Sequence, residues 1–220
     1  MPDELPPAEP RLSDDVLARC ASLPKKPAAH VLRDDRVVLE ALDLDRDVRA
    51  LYDVSNGEAF TLGERRLPAY DPEARIWRYM NAGPFGSTDE LRAWLVPQMN
   101  AEDGRPWVVR HPSGVAVGVL NLIANHPAHL KVELGSIWYG PIAQGTGISR
   151  AATLLMLAHV FSLGYRRAEW KCDARNEASR RAALSYGFTF EGVQDAHYII
   201  KGRNRDTAWF RMLDREWTAP

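Results

Sequence analysis

From Arg36 onward the chain alternates between apolar runs and polar breaks in a pattern that predicts a folded sheet with helices. Val37, Val38 and Leu39 predict a strand, and Leu44 to Val54 carries the spacing of an amphipathic helix. Ser87-Thr88-Asp89-Glu90 sets an acid three residues after a serine, a capping-box start for a helix through Met99. Two β-rich runs, Trp107–Arg110 and Val115–Asn121, are joined by Pro112-Ser113-Gly114, which predicts a hairpin. Val132–Tyr139 is a further strand, followed by a Gly/Pro-rich loop, Gly140–Gly147, and a helix from Ser149 to Leu163 stopped at Gly164. Ala168–Asp173 reads as a strand and Asn176–Tyr186 as a helix ended by Gly187. Phe188–Glu191 and Ala196–Ile200 read as short strands, residues 201–205 as a turn, and Thr207–Leu213 as the last strand. A meander, then β-loop-α-β-α and two closing strands, predicts one mixed sheet flanked by helices, in the α/β (α+β) class.

The amino end breaks this pattern. Residues 1–10 hold four prolines and little apolar surface, too little to order themselves. Ser13 is placed to cap a short helix over Asp14–Ser22, which Pro24 to Pro27 would stop. Residues 1–30 are therefore read as an appendage and 31–220 as the domain. Residues 56–86, rich in Gly, Pro and aromatics, read as helix–loop material able to wall a cleft.

Composition narrows the function classes. A chain of 220 residues with 45% apolar and 26% charged positions suffices for one sizeable domain. A formal charge of −1 offers no basic excess, so nucleic acid is not an expected partner. The apolar run Ala151–Phe161 is shorter than the roughly 18 residues of a membrane span and is broken by Thr153 and His159, so it reads as a buried helix. The acidic, proline-rich start has no signal-peptide character, and the expected location is cytoplasmic. Cys20 and Cys172 show no metal-ligand spacing, and no metal is expected; one disulfide is open to them, although a reduced pair suits a cytosolic chain.

The chemistry concentrates between Gly135 and Ala152. A strand feeds a loop with Gly145 and Gly147, and the loop opens directly into a helix. A helix start offers free N–H groups and partial positive charge, and glycine lets a ligand approach the backbone, so the segment suits a pyrophosphate; a plain tight turn is the alternative. A Walker loop would need Gly-Lys-Ser/Thr, but Gly147-Ile148-Ser149 has no lysine. A dinucleotide fingerprint would need a third glycine where Arg150 stands.

Gln144-Gly145-Thr146-Gly147-Ile148-Ser149 resembles the Gln/Arg-x-x-Gly-x-Gly/Ala signature of the GCN5-related N-acetyltransferase (GNAT) superfamily, with Ser149 in place of the usual Gly or Ala. Glu133-Leu134-Gly135 resembles the preceding strand of the RimJ/RimL-type branch. Asn176-Glu177-Ala178-Ser179, Tyr186-Gly187-Phe188 and Glu191-Gly192 resemble its Asn-x-x-Ser, Gly-Phe and Glu-Gly run, and residues 202–206 its final turn. The resemblance spans about residues 106–217 and is looser over 36–105. It implies a single GNAT domain with splayed central strands. It also implies acetyl-CoA as co-substrate, an amine acceptor (a peptide α-amine or a small amine), and leaves a homodimer open. Backbone groups of Ile137, Trp138 and Tyr139 would then meet the pantetheine arm, and amides from Gln144 to Ser149 the pyrophosphate. Asn176 and Ser179 would lie along the thiol end.

The tyrosine that many members use as acid is replaced by Ala183, and Tyr186 reads as a packing residue. By resemblance Ser179 is the candidate acid, with a helix-turn hydrogen bond as its alternative role. Glu133 either orders the amine or faces solvent. His197 stands within one position of the branch's expected base and titrates near neutrality, or is an ordinary strand residue. His126 and His129 read as loop residues, and Trp77, Tyr79, Phe85, Trp94, Trp138 and Trp209 mostly as core. The function expected is direct acetyl transfer to an amine of low pKa; the alternative is a non-catalytic acyl-CoA-binding domain.

Overall fold

A computed structural model describes residues 10–218; the proline-rich residues 1–9, read above as unable to order themselves, lie outside the described part. Helix α1 (Asp14–Ser22) is followed by the short strands β1 (Leu32–Arg33) and β2 (Val38–Ala41). Helix α2 (Leu44–Asp53) begins where the Asp43 carboxylate accepts the amides of Asp45 and Arg46. After it come a small hairpin, β3 (Phe60–Leu62) and β4 (Arg65–Leu67), the single turn α3 (Pro72–Arg75), and α4 (Thr88–Asn100). The meander is β5 (Arg105–Arg110), β6 (Ala116–His126) and β7 (Lys131–Tyr139). Then come α5 (Ile148–Ser162), β8 (Arg167–Asp173), α6 (Glu177–Ser185), β9 (Thr189–Ile200) and β10 (Arg203–Leu213).

Eight strands form one sheet in the order β1-β2-β5-β6-β7-β8-β10-β9, and β7–β8 is its one parallel pair. The helix α5 makes the crossover that a parallel pair requires. Apolar side chains leave the sheet on both faces. Trp107, Val109, Leu122, Val132 and Leu134 meet Met156, Leu157 and Val160 of α5. On the other face Val108, Val119 and Trp138 meet Leu51 of α2, Leu91 and Leu95 of α4, and Trp77. One charged group sits in this second layer. Asp47 is fully buried and accepts from Arg46, Arg110 and the Asp43 amide. Burial raises its carboxyl, and these three donors outweigh that and hold it below the usual carboxylate range.

Ser13 precedes α1 without a side-chain cap bond, and His126 ends β6 rather than lying in a loop; two longer stretches also differ from the sequence reading. Within residues 56–86, β3 and β4 are three residues each around Gly63 at φ +58°, too short for an apolar period to reveal. The two strands read at 188–191 and 196–200 are one strand, β9, interrupted by a bulge at Ala196 (φ +49°) opposite Asp206. The Asp206 carboxylate accepts the Ala196 amide at 2.7 Å and holds the bulge in place.

The amino-terminal segment is fastened to the body. Asn125 donates to the carbonyls of Pro24 and Lys25, Arg105 to Pro27, and Trp107 to His30, while Lys26 donates to Met99. These contacts cross the boundary drawn at residue 30 from composition. Proline enrichment lowers the cost of ordering an extended segment, and the body supplies side-chain donors to its carbonyls.

Candidate active site

The site originates in a failure of strand pairing. β7 and β8 pair from Lys131↔Arg167 to Leu134↔Trp170 and no further. At that point β7 gains an extra residue against β6, and Ser136 takes φ +48°, a bulge that turns the strand away from β8. The β8-side backbone edge from Gly135 to Tyr139 is left without a strand partner, and the expected splay is present.

Two cavities fill the resulting gap. One, of about 310 Å³, runs between β7 and α6 toward the start of α5, with Ile137, Tyr139, Gln144, Ser149, Ala182 and Tyr186 on its walls. The other, of about 420 Å³, opens on the opposite side of the sheet edge, with Glu133, Gly135, Lys171, Asp173, Tyr198 and Arg205 on its walls. They share Tyr79, Met80, Ile137, Trp170, Asn176 and Ser179, so they form one passage with Ser179 at its waist. The roof is the turn Trp77–Tyr79, fastened where Tyr79 Oη donates to the Arg175 carbonyl and Lys201 Nζ to the Trp77 carbonyl.

At the α5 end, Gly145 (φ +73°) and Gly147 (φ +88°) shape the loop. The Gln144 side chain donates to the carbonyls of Tyr139 and Arg75 and locks the loop to its neighbours. The donors available to an anion are fewer than the whole run 144–149. The Gln144 and Thr146 amides turn back to Pro141 and Ala143, and the Ile148 amide reaches Thr146 Oγ1 at 3.4 Å. The amides of Gly145, Gly147, Ser149 and Arg150 have no partner among the described residues, as the first turn of a helix dictates. A Cβ on Gly145 would meet nothing within 4 Å, and one on Gly147 only Arg36 Nη1 at 3.6 Å. The backbone there faces open space beside a guanidinium.

At the waist, Asn176 caps α6 by accepting the Ser179 amide, and the Ser179 hydroxyl accepts from Trp170 Nε1 at 3.0 Å. With its oxygen engaged by the indole, Ser179 has its own hydrogen left to donate. Cys172 is a free, buried thiol that desolvation pushes up. Tyr186 packs as expected, its ring 6.1 Å from Trp170, but its hydroxyl also lies 3.1 Å from Ser149 Oγ on the cavity wall.

Glu133 faces the second cavity. It is buried, and Oε2 lies 2.7 Å from Lys171 Nζ, whose ammonium also stacks 3.9 Å from the Trp209 ring. Burial raises the Glu133 carboxyl and Lys171 opposes it, with a net rise. His197 is not on the walls of either cavity; its ring stacks on Tyr198 at 3.9 Å and lies near Trp209. The bulge at Ala196 reverses the alternation, so Tyr198 rather than His197 reaches the cleft. Trp170 and Lys171 were not singled out by sequence, and Arg205 only as part of the closing turn. The alternation of Trp170 and Cys172 against Lys171 and Asp173 in β8 was the available signal, and it carries no chemistry until α6 lies across it.

The acetyltransferase (GNAT) domain model matches residues 36–189. The chain belongs to this family. A GNAT-family protein from Chromobacterium violaceum, described as a probable acetyltransferase, is 32% identical and superposes with TM-score 0.81 over 97% of this chain and 98% of that one. A GCN5-related N-acetyltransferase from Brucella melitensis is 34% identical, TM-score 0.76, over 87% of this chain and 81% of that one. Mycothiol acetyltransferase of Thermobispora bispora is 31% identical over 138 residues, 56% of this chain and 46% of that protein. The GNAT chain thus spans under half the length of this curated relative.

The passage fits the coenzyme the GNAT fold uses. Unpartnered amides at a helix start suit a pyrophosphate, and an open strand edge suits an amide-bearing arm. Among the described residues no helix is long and apolar enough to cross a membrane.

Proposed function

We propose that this GNAT domain transfers the acetyl group of acetyl-CoA directly to a neutral amine, with the coenzyme in the cavity leading to α5 and the acceptor in the cleft beside Glu133. The observation that carries this reading is the meeting of the two cavities at Ser179. Acetyl-CoA supplies the acyl carbon and the leaving thiolate. An N–C bond forms as the C–S bond breaks, the amine proton leaves, and the thiolate needs a donor. Glu133 accepts the amine proton, and Lys171 at 2.7 Å favours its charged form against the burial that raises it. Ser179 donates to the sulfur. The Trp170 N–H on its oxygen stabilises charge developing there and makes the hydroxyl a better donor. The Asn176-x-x-Ser179 helix start supports a place in the RimJ/RimL-like branch, and in this reading His197 acts only as a packing residue.

The acceptor is an α-amine or another amine of low pKa. An α-amine near 7.7–8 is roughly a tenth neutral at pH 7, whereas lysine near 10.4 is about 200- to 400-fold less so. A single carboxylate base favours the former. The test is thiol release from acetyl-CoA with peptides bearing a free N-terminus and with N-blocked peptides containing lysine. Preference for the free N-terminus supports the reading. Preference for blocked lysine overturns the acceptor class, and coenzyme binding without turnover on any amine overturns catalysis.

A further inference from the structure

The acceptor cleft opens sideways into a smaller pocket of about 160 Å³, sharing Tyr79, Asp173, Ile200 and Arg205 with it. Across the two, six cationic side chains (Arg78, Lys171, Arg175, Lys201, Arg203, Arg205) face three carboxylates (Glu73, Glu133, Asp173). Two of these charges are already matched, Lys171 with Glu133 at 2.7 Å and Lys201 with Glu73 at 2.8 Å. That leaves four arginines against Asp173, an excess of three positive charges. None of the four has a carboxylate oxygen within 4.0 Å among the described residues.

Solvated surface arginines need no partner, but Arg205 is not one of these. It is half-buried, its guanidinium 5.6 Å from the Tyr198 ring, and its Nε is buried without a hydrogen-bond partner. A buried guanidinium N–H left without an acceptor is costly, and the planar fork of arginine matches the two oxygens of a carboxylate or phosphate.

We propose that this pocket binds an oxyanion carried by the acceptor, so that the amine acetylated beside Glu133 belongs to an anionic or zwitterionic molecule. The proposal rests on the reading of the Glu133 cleft as the acceptor site. Arg205 lines both spaces and joins them, with Arg175 and Arg203 on the pocket side. A polycation is excluded by the same charges.

The test compares acceptors of matched amine pKa in the full chain. Dipeptides with a free N-terminus and Asp or phosphoserine in second position are set against Asn and Ser, all amidated at the C-terminus, and spermidine, whose amines have a higher pKa, is run separately as polycation. Charge-assisted contacts predict about a ten- to hundredfold higher kcat/KM for the anionic members, falling steeply with salt. The double variant Arg175→Gln/Arg203→Gln, shown to be folded by its acetyl-CoA thermal shift, should bring that ratio close to one. Whether Asp or phosphoserine gains more tells carboxylate from phosphate. Equal rates for neutral and anionic acceptors, a preference for spermidine, or an unchanged ratio in the variant overturns the proposal. Should no amine be acetylated, binding decides separately: with CoA saturating the loop, inorganic phosphate and succinate are titrated against both proteins. Binding that the variant loses upholds the oxyanion pocket though transfer has failed, and equal or no binding refutes it.

Discussion

Replacing Gly147 by valine separates the coenzyme loop from the rest of the fold. Gly147 holds φ +88°, and an added Cβ meets only Arg36 Nη1 at 3.6 Å, an ordinary contact. The cost to the free protein is thus mainly backbone strain of about 1–3 kcal/mol. For a chain of this length each 1 kcal/mol moves Tm by about 2–4 °C, so the variant should melt roughly 2–12 °C lower. Acetyl-CoA at a hundred times its Kd adds about 2.7 kcal/mol to the wild type, a rise of roughly 5–11 °C. In the variant the valine side chain occupies the space over the unpartnered amides, and this rise should vanish. Gly114→Val is the control. Gly114 has φ +89°, nothing within 4 Å of its Cβ position, and a place in the β5–β6 turn away from the loop. It carries the same strain and should keep the full ligand shift. Melting both variants with and without acetyl-CoA decides the matter; a Gly147→Val protein that shifts like wild type would falsify the loop assignment.

Ser179→Ala should lower turnover about ten- to a hundredfold while moving coenzyme affinity little, and Trp170→Phe should act the same way more weakly; equal losses in kcat and in affinity would make Ser179 a plain first-turn residue of α6. Glu133 ionises above the usual carboxylate range because of its burial, so its stabilising contribution belongs to low pH and declines as pH rises through its folded-state pKa. As base it must be ionised, so the rate should rise with pH through that limb; Glu133→Gln should abolish the limb and lower turnover about 10²–10⁴-fold, His197→Ala should leave it in place, and the opposite pair of outcomes in a pH–rate profile would transfer the role to His197. Glu133→Gln should cost little stability at neutral pH, since Lys171 keeps Glu169 at 3.9 Å and the Trp209 ring. A chain beginning at Val31 leaves the donors of Asn125, Arg105 and Trp107 without the carbonyls they use; at about 1 kcal/mol each with water as substitute, denaturant melts should show about 2–4 kcal/mol lost, and an unchanged midpoint would show the segment dispensable.

What the sequence alone determined about this protein is what depends on near neighbours in the chain. The Ser87 and Asn176 caps, the glycines at 145 and 147, and the apolar faces of α2 and α5 are local, because caps and turns satisfy backbone groups within a few residues. The strand–loop–helix at 135–152 therefore disclosed the family before any coordinates did. Tertiary structure decided the chemistry. Whether Glu133 faced a cleft or solvent depended on where β8 placed Lys171, and Ser179 gained its donor because α6 crosses Trp170. His197 was displaced from the cleft by the Ala196 bulge, which Asp206 holds from the neighbouring strand. The arginine pocket gathers residues from the Trp77–Tyr79 turn, the β8–α6 loop and the start of β10, segments spread over more than a hundred positions of the chain, whose charges cancel in the chain's net of −1. Composition sums charge over the whole chain, and only the fold concentrates four arginines around one small space.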